Sequence, residues 1–379
     1  MKKITTLFLC TFCPLLCLLI GCKTCETNSP QEKDTLVLGC GVNASHWLSQ
    51  YFEGLPPKDI IFTRSDVQFL KEQGFQHIRI PVEEKEMWNE DGTQNEESFT
   101  YLDSALQWAQ EAGMTAILDL HIVKSHHFNA SNEEGGHKNT LFKSEAAQQH
   151  LIDMWMQFSE RYHEWPNDFL AYEVLNEAVA EDHEDWNKLI GKCIKAIREK
   201  EPNRFIIVGS NMWQQCQFFP YLKIPEGDKH IILSFHFYHP FAFTHYKASW
   251  VGPYSKYDGP INYPGNLVPE EVFESLPEGA IKDTIAMEYY NDKETLRQIM
   301  LPAIEYAKEH GLKLYCGEWG TMKTMPKKMR LKWYQDMSDI FAEEGIENAI
   351  WAYKSSFGIR SDDNSVAYQE LIDAILPDK

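Results

Sequence analysis

Phe169-Leu170-Ala171-Tyr172-Glu173-Val174-Leu175-Asn176-Glu177-Ala178 begins as a buried strand and stops abruptly on two polar residues. A carboxylic acid at the end of a strand, beside an amide that can orient substrate or carboxylate, suits general acid–base work. A strand that simply reaches water would end the same way, so this stretch alone leaves both readings open. The rest of the chain decides between them.

Outward from this strand, one phrase recurs: a helix, a glycine in the C′ position, then an apolar strand. Thr63-Arg64-Ser65-Asp66 has the form of a capping box opening a helix that Gly74 ends. Gly113, Gly311 and Gly345 close three more helices, each followed by an apolar run. Two further helices show apolar stripes at helical spacing. One carries Leu151, Met154, Trp155 and Phe158, the other Trp186, Leu189, Ile190, Cys193 and Ile197. Eight strands are expected, at 36–42, 76–81, 114–120, 170–175, 204–209, 231–237, 312–316 and 347–352. Nearly continuous apolar strands alternating with helices call for a parallel sheet buried on both faces. Eight such units in 379 residues predict an α/β fold, a single (β/α)8 TIM barrel. No GxGxxG or GxxxxGK loop follows the first strand, which counts against a nucleotide-binding fold. Residues 239–293 carry six prolines between strand six and the next helix. They read as an inserted subdomain over the active-site face, with a short helix near 269–276.

Lys2 and Lys3 followed by an apolar run from Leu7 to Ile20 read as an export signal over residues 1–21, too short to span a membrane comfortably. The run ends in Leu19-Ile20-Gly21-Cys22, which resembles a lipobox. Cys22 is the expected lipidation site, residues 22–33 a tether and residues 34–379 the barrel. Among the nine Cys, no CxxC pair lies in the mature domain outside the Cys22/Cys25 anchor region. Cys25, Cys40, Cys193, Cys216 and Cys316 are an odd, widely spaced set, most of them expected as small buried hydrophobes, and any pairing among them stays open. The formal net charge of −20 argues against nucleic acid or anionic lipid surfaces as partners. Eleven Trp and seventeen Tyr are compatible with a neutral carbohydrate that stacks on flat rings.

A barrel keeps its active site at the C-terminal ends of its strands, so the test is what each strand ends with. The ends are Arg79; Asp119-Leu120-His121; Asn176-Glu177; Ser210-Asn211; His236-Phe237-Tyr238; Gly317-Glu318-Trp319; and Trp351. Glu177 and Glu318 would face each other across the mouth, and two carboxyl groups across a cleft are what glycoside hydrolysis needs. These phrases, with Gly41-Val42-Asn43, Trp47-Leu48-Ser49, His77-Ile78-Arg79-Ile80-Pro81 and Leu314-Tyr315-Cys316-Gly317-Glu318-Trp319-Gly320, resemble glycoside hydrolase family 5, over roughly residues 39–376. The likeness is to the secreted, cellulase-like type, similar to clostridial β-1,4-glucanases with an insertion after strand six.

The resemblance implies a retaining, endo-acting hydrolase of β-1,4 or mixed-linkage β-1,3-1,4 glucan, with no metal or cofactor and a polysaccharide or oligosaccharide as its partner. It makes Glu177 the acid/base and Glu318 the nucleophile, with Arg79 and Tyr238 bonded to Glu318. Asn176 would meet the 2-hydroxyl, His121 and His236 line the cleft, and Trp351 lies under the sugar. Trp47, Trp213 and Trp250 are candidates for outer subsites or for packing. A monomer is expected, exported and lipid-anchored to a bacterial membrane, or else secreted or periplasmic.

Other readings share the same residues: a β-mannanase, an exo-β-1,3-glucanase, or a lipid-anchored polysaccharide-binding barrel without activity. His121, His126, His127, His137, His236 and His239 invite a metal-hydrolase reading, but no HxH pair or HExxH helix supports it. The sequence departs from the family pattern after His121, where Ile122-Val123-Lys124-Ser125-His126-His127-Phe128 contains no glycine turn.

Overall fold

The computed structural model describes residues 35–129, 139–251 and 257–376. The chain divides into residues 1–32 and 33–379, and every described residue lies in the second unit. The signal segment, Cys22, Cys25 and His137 therefore lie outside the described residues.

Eight parallel strands close into a barrel. They are β1 (Cys40–Asn43), β2 (His77–Glu83), β3 (Thr115–Ile122), β4 (Leu170–Glu173), β5 (Phe205–Gly209), β6 (Ile231–Phe237), β7 (Lys313–Trp319) and β8 (Glu347–Ile350). Each pairs with its sequence neighbours, and β1 pairs with both β2 and β8. The expected eight strands are all present, with shifted ends. β1 starts later than residue 36 because Leu36 and Leu38 do not pair as a strand. Both are fully buried and pack among Ile117, Ala171, Phe205, Ile207, Ile232, Tyr315 and Ala349 inside the barrel. First-turn residues of three strands hold this entering segment. His77 Nδ1 lies 2.9 Å from Leu38 O, Glu347 accepts from Leu38 N (2.9 Å), and Lys313 Nζ donates to Leu36 O (2.5 Å). The segment plugs the end opposite the strand C-termini.

Side chains alternate along a strand, so every second residue enters the barrel. On β3 these are Ile117, Asp119 and His121, on β4 Ala171 and Glu173, and on β2 His77 and Arg79. The lower layer is apolar and the upper layer charged. Gly41 makes room for this filling, since a Cβ there would lie 2.4 Å from the His77 ring. Helices Glu145–Tyr162 and His183–Lys200 bury the stripes expected of them against the outside of the barrel, and helix Glu96–Glu111 buries Leu102, Ala105, Leu106 and Ala109 in the same way. The Thr63 capping box forms, and Gly74, Gly311 and Gly345 close their helices in the left-handed conformation, with φ of 96°, 62° and 67°.

Between β6 and helix Lys293–His310, the chain forms short helices Phe241–Thr244, Glu270–Ser275 and Ala280–Met287. Two-residue strands Gly265–Asn266 and Tyr290–Asn291 pair antiparallel there. Glu288 ties this segment to its root by accepting from the backbone N–H of Phe241 (2.8 Å) and Ala242 (3.3 Å).

Candidate active site

Arg79 is the centre of the upper layer and is fully buried. Its Nε donates to Glu173 (2.6 Å), Nη1 to Asn43 Oδ1 and Glu318 Oε1 (both 2.8 Å), and Nη2 to Asn176 Oδ1 (2.8 Å). Nη2 also lies 3.0 Å from Asp119 Oδ2. The planar guanidinium thus fixes residues from β1, β2, β3, β4 and β7 in one plane. Three carboxylates share this single cation. Burial pushes the Asp119 carboxyl up to about 7, against the pull of Arg79. Asn176 uses its oxygen on Arg79, which leaves its Nδ2 without a protein partner.

Glu177 and Glu318 meet above this layer. Tyr238 donates to Glu318 Oε2 (3.0 Å), and His236 Nδ1 lies 2.8 Å from Glu177 Oε1 and 3.7 Å from Glu318 Oε2. A register shift between Phe235 and His236 brings His236 opposite Glu318. Among the described residues, Glu177, His236 and Glu318 form a set whose ligating atoms lie within 4.8 Å of one another. His121, His126, His127 and His239 are not part of it. Burial raises both carboxyls above the ordinary value. The neighbouring Glu318 charge drives Glu177 further up, while Arg79 and the Tyr238 hydroxyl pull Glu318 back down. The two acids are thereby pushed apart, Glu177 held well above its ordinary value and Glu318 raised less, so that Glu318 is the first of the pair to ionise. Burial, Arg79 and His121 hold His236 well below its usual range, so it is a neutral partner of Glu177.

These groups open into a cleft of about 1200 Å³. Trp351 lies along it, with the His121 ring stacked parallel at 5.5 Å, and the His121 Nδ1 lies 2.7 Å from Asp119. The segment after His121 turns back through a Val123–His126 bridge and sets Phe128 edge-on to His121 (5.3 Å). Phe128 O accepts from the Trp213 indole (3.0 Å), so the loops after β3 and β5 meet at the cleft wall. The three tryptophans left open between subsites and packing separate clearly. Trp213 and Trp250 line the cleft, and Trp250 is 46 % exposed. Trp47 is 0 % exposed and donates to Lys58 O, a core residue.

A cellulase family model, glycosyl hydrolase family 5, matches residues 41–356. The chain belongs to this family. Endoglucanase C of Acetivibrio thermocellus is 32% identical over 342 residues, spanning 88% of this chain and 97% of that protein. Cellodextrinase A of Ruminococcus flavefaciens is 26% identical over 308 residues, 81% of this chain and 82% of that one. The solved endoglucanase of Thermotoga maritima shares the fold, with a TM-score of 0.72 at 23% identity over 89% of this chain and 97% of that one. The protein is a glycoside hydrolase.

Every site residue expected of this family 5 chain stands at the cleft or in the layer beneath it. Four others were given no role from the sequence: Asn43, Asp119, Glu173 and Gln214, all fully or almost fully buried. A signal for two of them was present. Asp119 and Glu173 are acids inside apolar strands, and a buried acid needs a cation or a hydrogen bond. Cys40, Cys193, Cys216 and Cys316 are all free thiols.

Proposed function

We propose that the protein is a retaining endo-glucanase that cleaves β-1,4 or mixed-linkage β-glucan by double displacement. The observation that carries this reading is the spacing of Glu177 and Glu318, one oxygen of each lying within 4.8 Å. That close approach of their oxygens favours the short separation, about 5–5.5 Å between carboxyl groups, at which one acts as nucleophile and the other as acid. Ionised Glu318, aimed by Arg79 and Tyr238, attacks the anomeric carbon. Protonated Glu177 gives its proton to the departing glycosidic oxygen as that bond breaks. The now ionised Glu177 then takes a proton from water, which displaces Glu318 and frees the sugar. Asn176 offers its partnerless Nδ2 to the 2-hydroxyl, and Trp351 gives the sugar a flat face.

Of the relatives named above, an endoglucanase favours internal cleavage of a glucan and a cellodextrinase favours a cellulose-type linkage. A probable glucan 1,3-β-glucosidase of Aspergillus fumigatus matches only 30% of this chain. Reducing-sugar release and product sizes on a panel of cellulosic glucan, mixed-linkage glucan, β-mannan and β-1,3-glucan test the reading. Early appearance of mid-sized fragments from the first two is expected. Activity on β-mannan alone would replace the substrate, and inertness on all four would sink the enzyme reading. The rate should be bell-shaped in pH. It falls on the acid side as Glu318 takes a proton, and on the alkaline side as Glu177 loses its own, with burial and Glu318 extending the active range upward.

Export and lipidation at Cys22 belong to the same proposal, supported by the Leu7–Ile20 run and by a polymeric substrate that has to be met outside the cell. The full chain should partition with membranes and its Cys22→Ala form should not; equal partitioning would remove the anchor.

A further inference from the structure

Glu177 sits in the left-handed region at φ 45°, a conformation a non-glycine residue holds only when its surroundings impose it. Its backbone N–H is captured by Gln214 Oε1 at 2.9 Å, inside the protein. Gln214 is 1 % exposed and comes from the loop after β5, where Met212, Trp213 and Gln214 are all left-handed, at φ 57°, 62° and 54°. That loop is laced to the residues following Glu177. Asn211 exchanges two hydrogen bonds with the Ala180 backbone (2.8 and 2.9 Å), and Trp213 N donates to Ala178 O (3.2 Å).

The other end of the Gln214 amide reaches across the barrel. Its Nε2 donates to Ser234 Oγ on β6 (3.0 Å) and to Glu173 Oε1 on β4 (3.3 Å). Glu173 accepts from Arg79 through its second oxygen, and Arg79 holds Glu318. One amide therefore touches the backbone of one glutamate and, through two side chains, the carboxylate of the other. A space is kept for it: a Cβ on Gly209 would come within 2.2 Å of Gln214 Cγ.

We propose that Gln214 is a positioning residue that fixes Glu177 in its left-handed turn and so aims the acid at the departing glycosidic oxygen. This rests on the two-glutamate reading above, and the test separates the two. A misplaced acid slows only those substrates that need protonation on departure. Wild type and Gln214→Met are compared on a cellulosic glucan and on 2,4-dinitrophenyl β-cellobioside, whose leaving group departs without a proton, the latter with azide present to bypass the base step.

The variant should lose about 100-fold in kcat on the glucan, as expected of an acid displaced by about an ångström, and only a few-fold on the aryl glycoside. KM should move little. Loss of packing alone would lower both rates alike. Equal losses on the two substrates, or no loss on the glucan, would overturn the assignment while leaving the glutamates' roles intact. A wild type inert on both would sink the glycosidase reading instead. Should the methionine variant fail to fold, Gln214→Asn keeps a polar side chain one methylene shorter. It should show the same split at smaller size, and an unsplit loss there counts against the proposal equally.

Discussion

Glu318→Ala should be a folded protein with almost no activity, its kcat/KM on cellulosic glucan down about 10⁵-fold, or roughly 7 kcal/mol of transition-state stabilisation. The size follows from its proposed role, since without a nucleophile no covalent intermediate forms and the remaining groups can only bind and polarise. The fold should survive because Arg79 keeps Glu173 at 2.6 Å and Asp119 at 3.0 Å, so its charge stays compensated. Removing one carboxylate from a crowded buried set also relieves repulsion. A thermal midpoint within a few degrees of wild type and residual turnover at background are the expected pair of readings. The Glu318→Gln variant adds an electrostatic check. The Glu318 charge is one of the causes holding Glu177 up, so the Glu177 carboxyl should titrate lower in the variant, as followed by carbon-13 NMR. Substantial activity in Glu318→Ala would remove it as nucleophile.

Glu177→Ala is expected to lose about 10³-fold on the same glucan, within the range for a general acid. It should keep much of its rate of enzyme glycosylation on 2,4-dinitrophenyl β-cellobioside. With the base gone, the glycosyl intermediate accumulates, and azide should release it as a glycosyl azide of retained configuration and restore turnover. Azide rescue of Glu318→Ala with retention, and of Glu177→Ala only with inversion, would exchange the two roles.

The architecture was legible in the sequence because each α/β unit repeats the same local signals. A glycine at the helix end and an apolar run after it are set by backbone sterics and burial, which act within a few residues. The strand ends then pointed to Arg79, Glu177, Tyr238 and Glu318, since polar groups closing apolar strands collect at one rim. Residues whose meaning depends on distant strands were harder to read. Glu173 looked like part of an apolar run until Arg79, on β2, appeared beside it. Gln214 gave no local sign, because its role lies in a loop whose three left-handed residues carry ordinary side chains. Leu36 and Leu38 have strand composition yet fill the barrel from below, as apolar composition alone does not distinguish pairing from plugging. Trp47 and Trp250 are alike in sequence and opposite in exposure for the same reason.

The plugging segment also gives the molecule a polarity. Residues 36–38 run into the barrel beneath the first turns of β2, β7 and β8, while the cleft opens at the other pole. The described chain therefore enters the barrel at the rear, at the pole opposite the catalytic mouth. A glucan chain too long and stiff to turn a corner can then be engaged along its length at that mouth without meeting the entering segment.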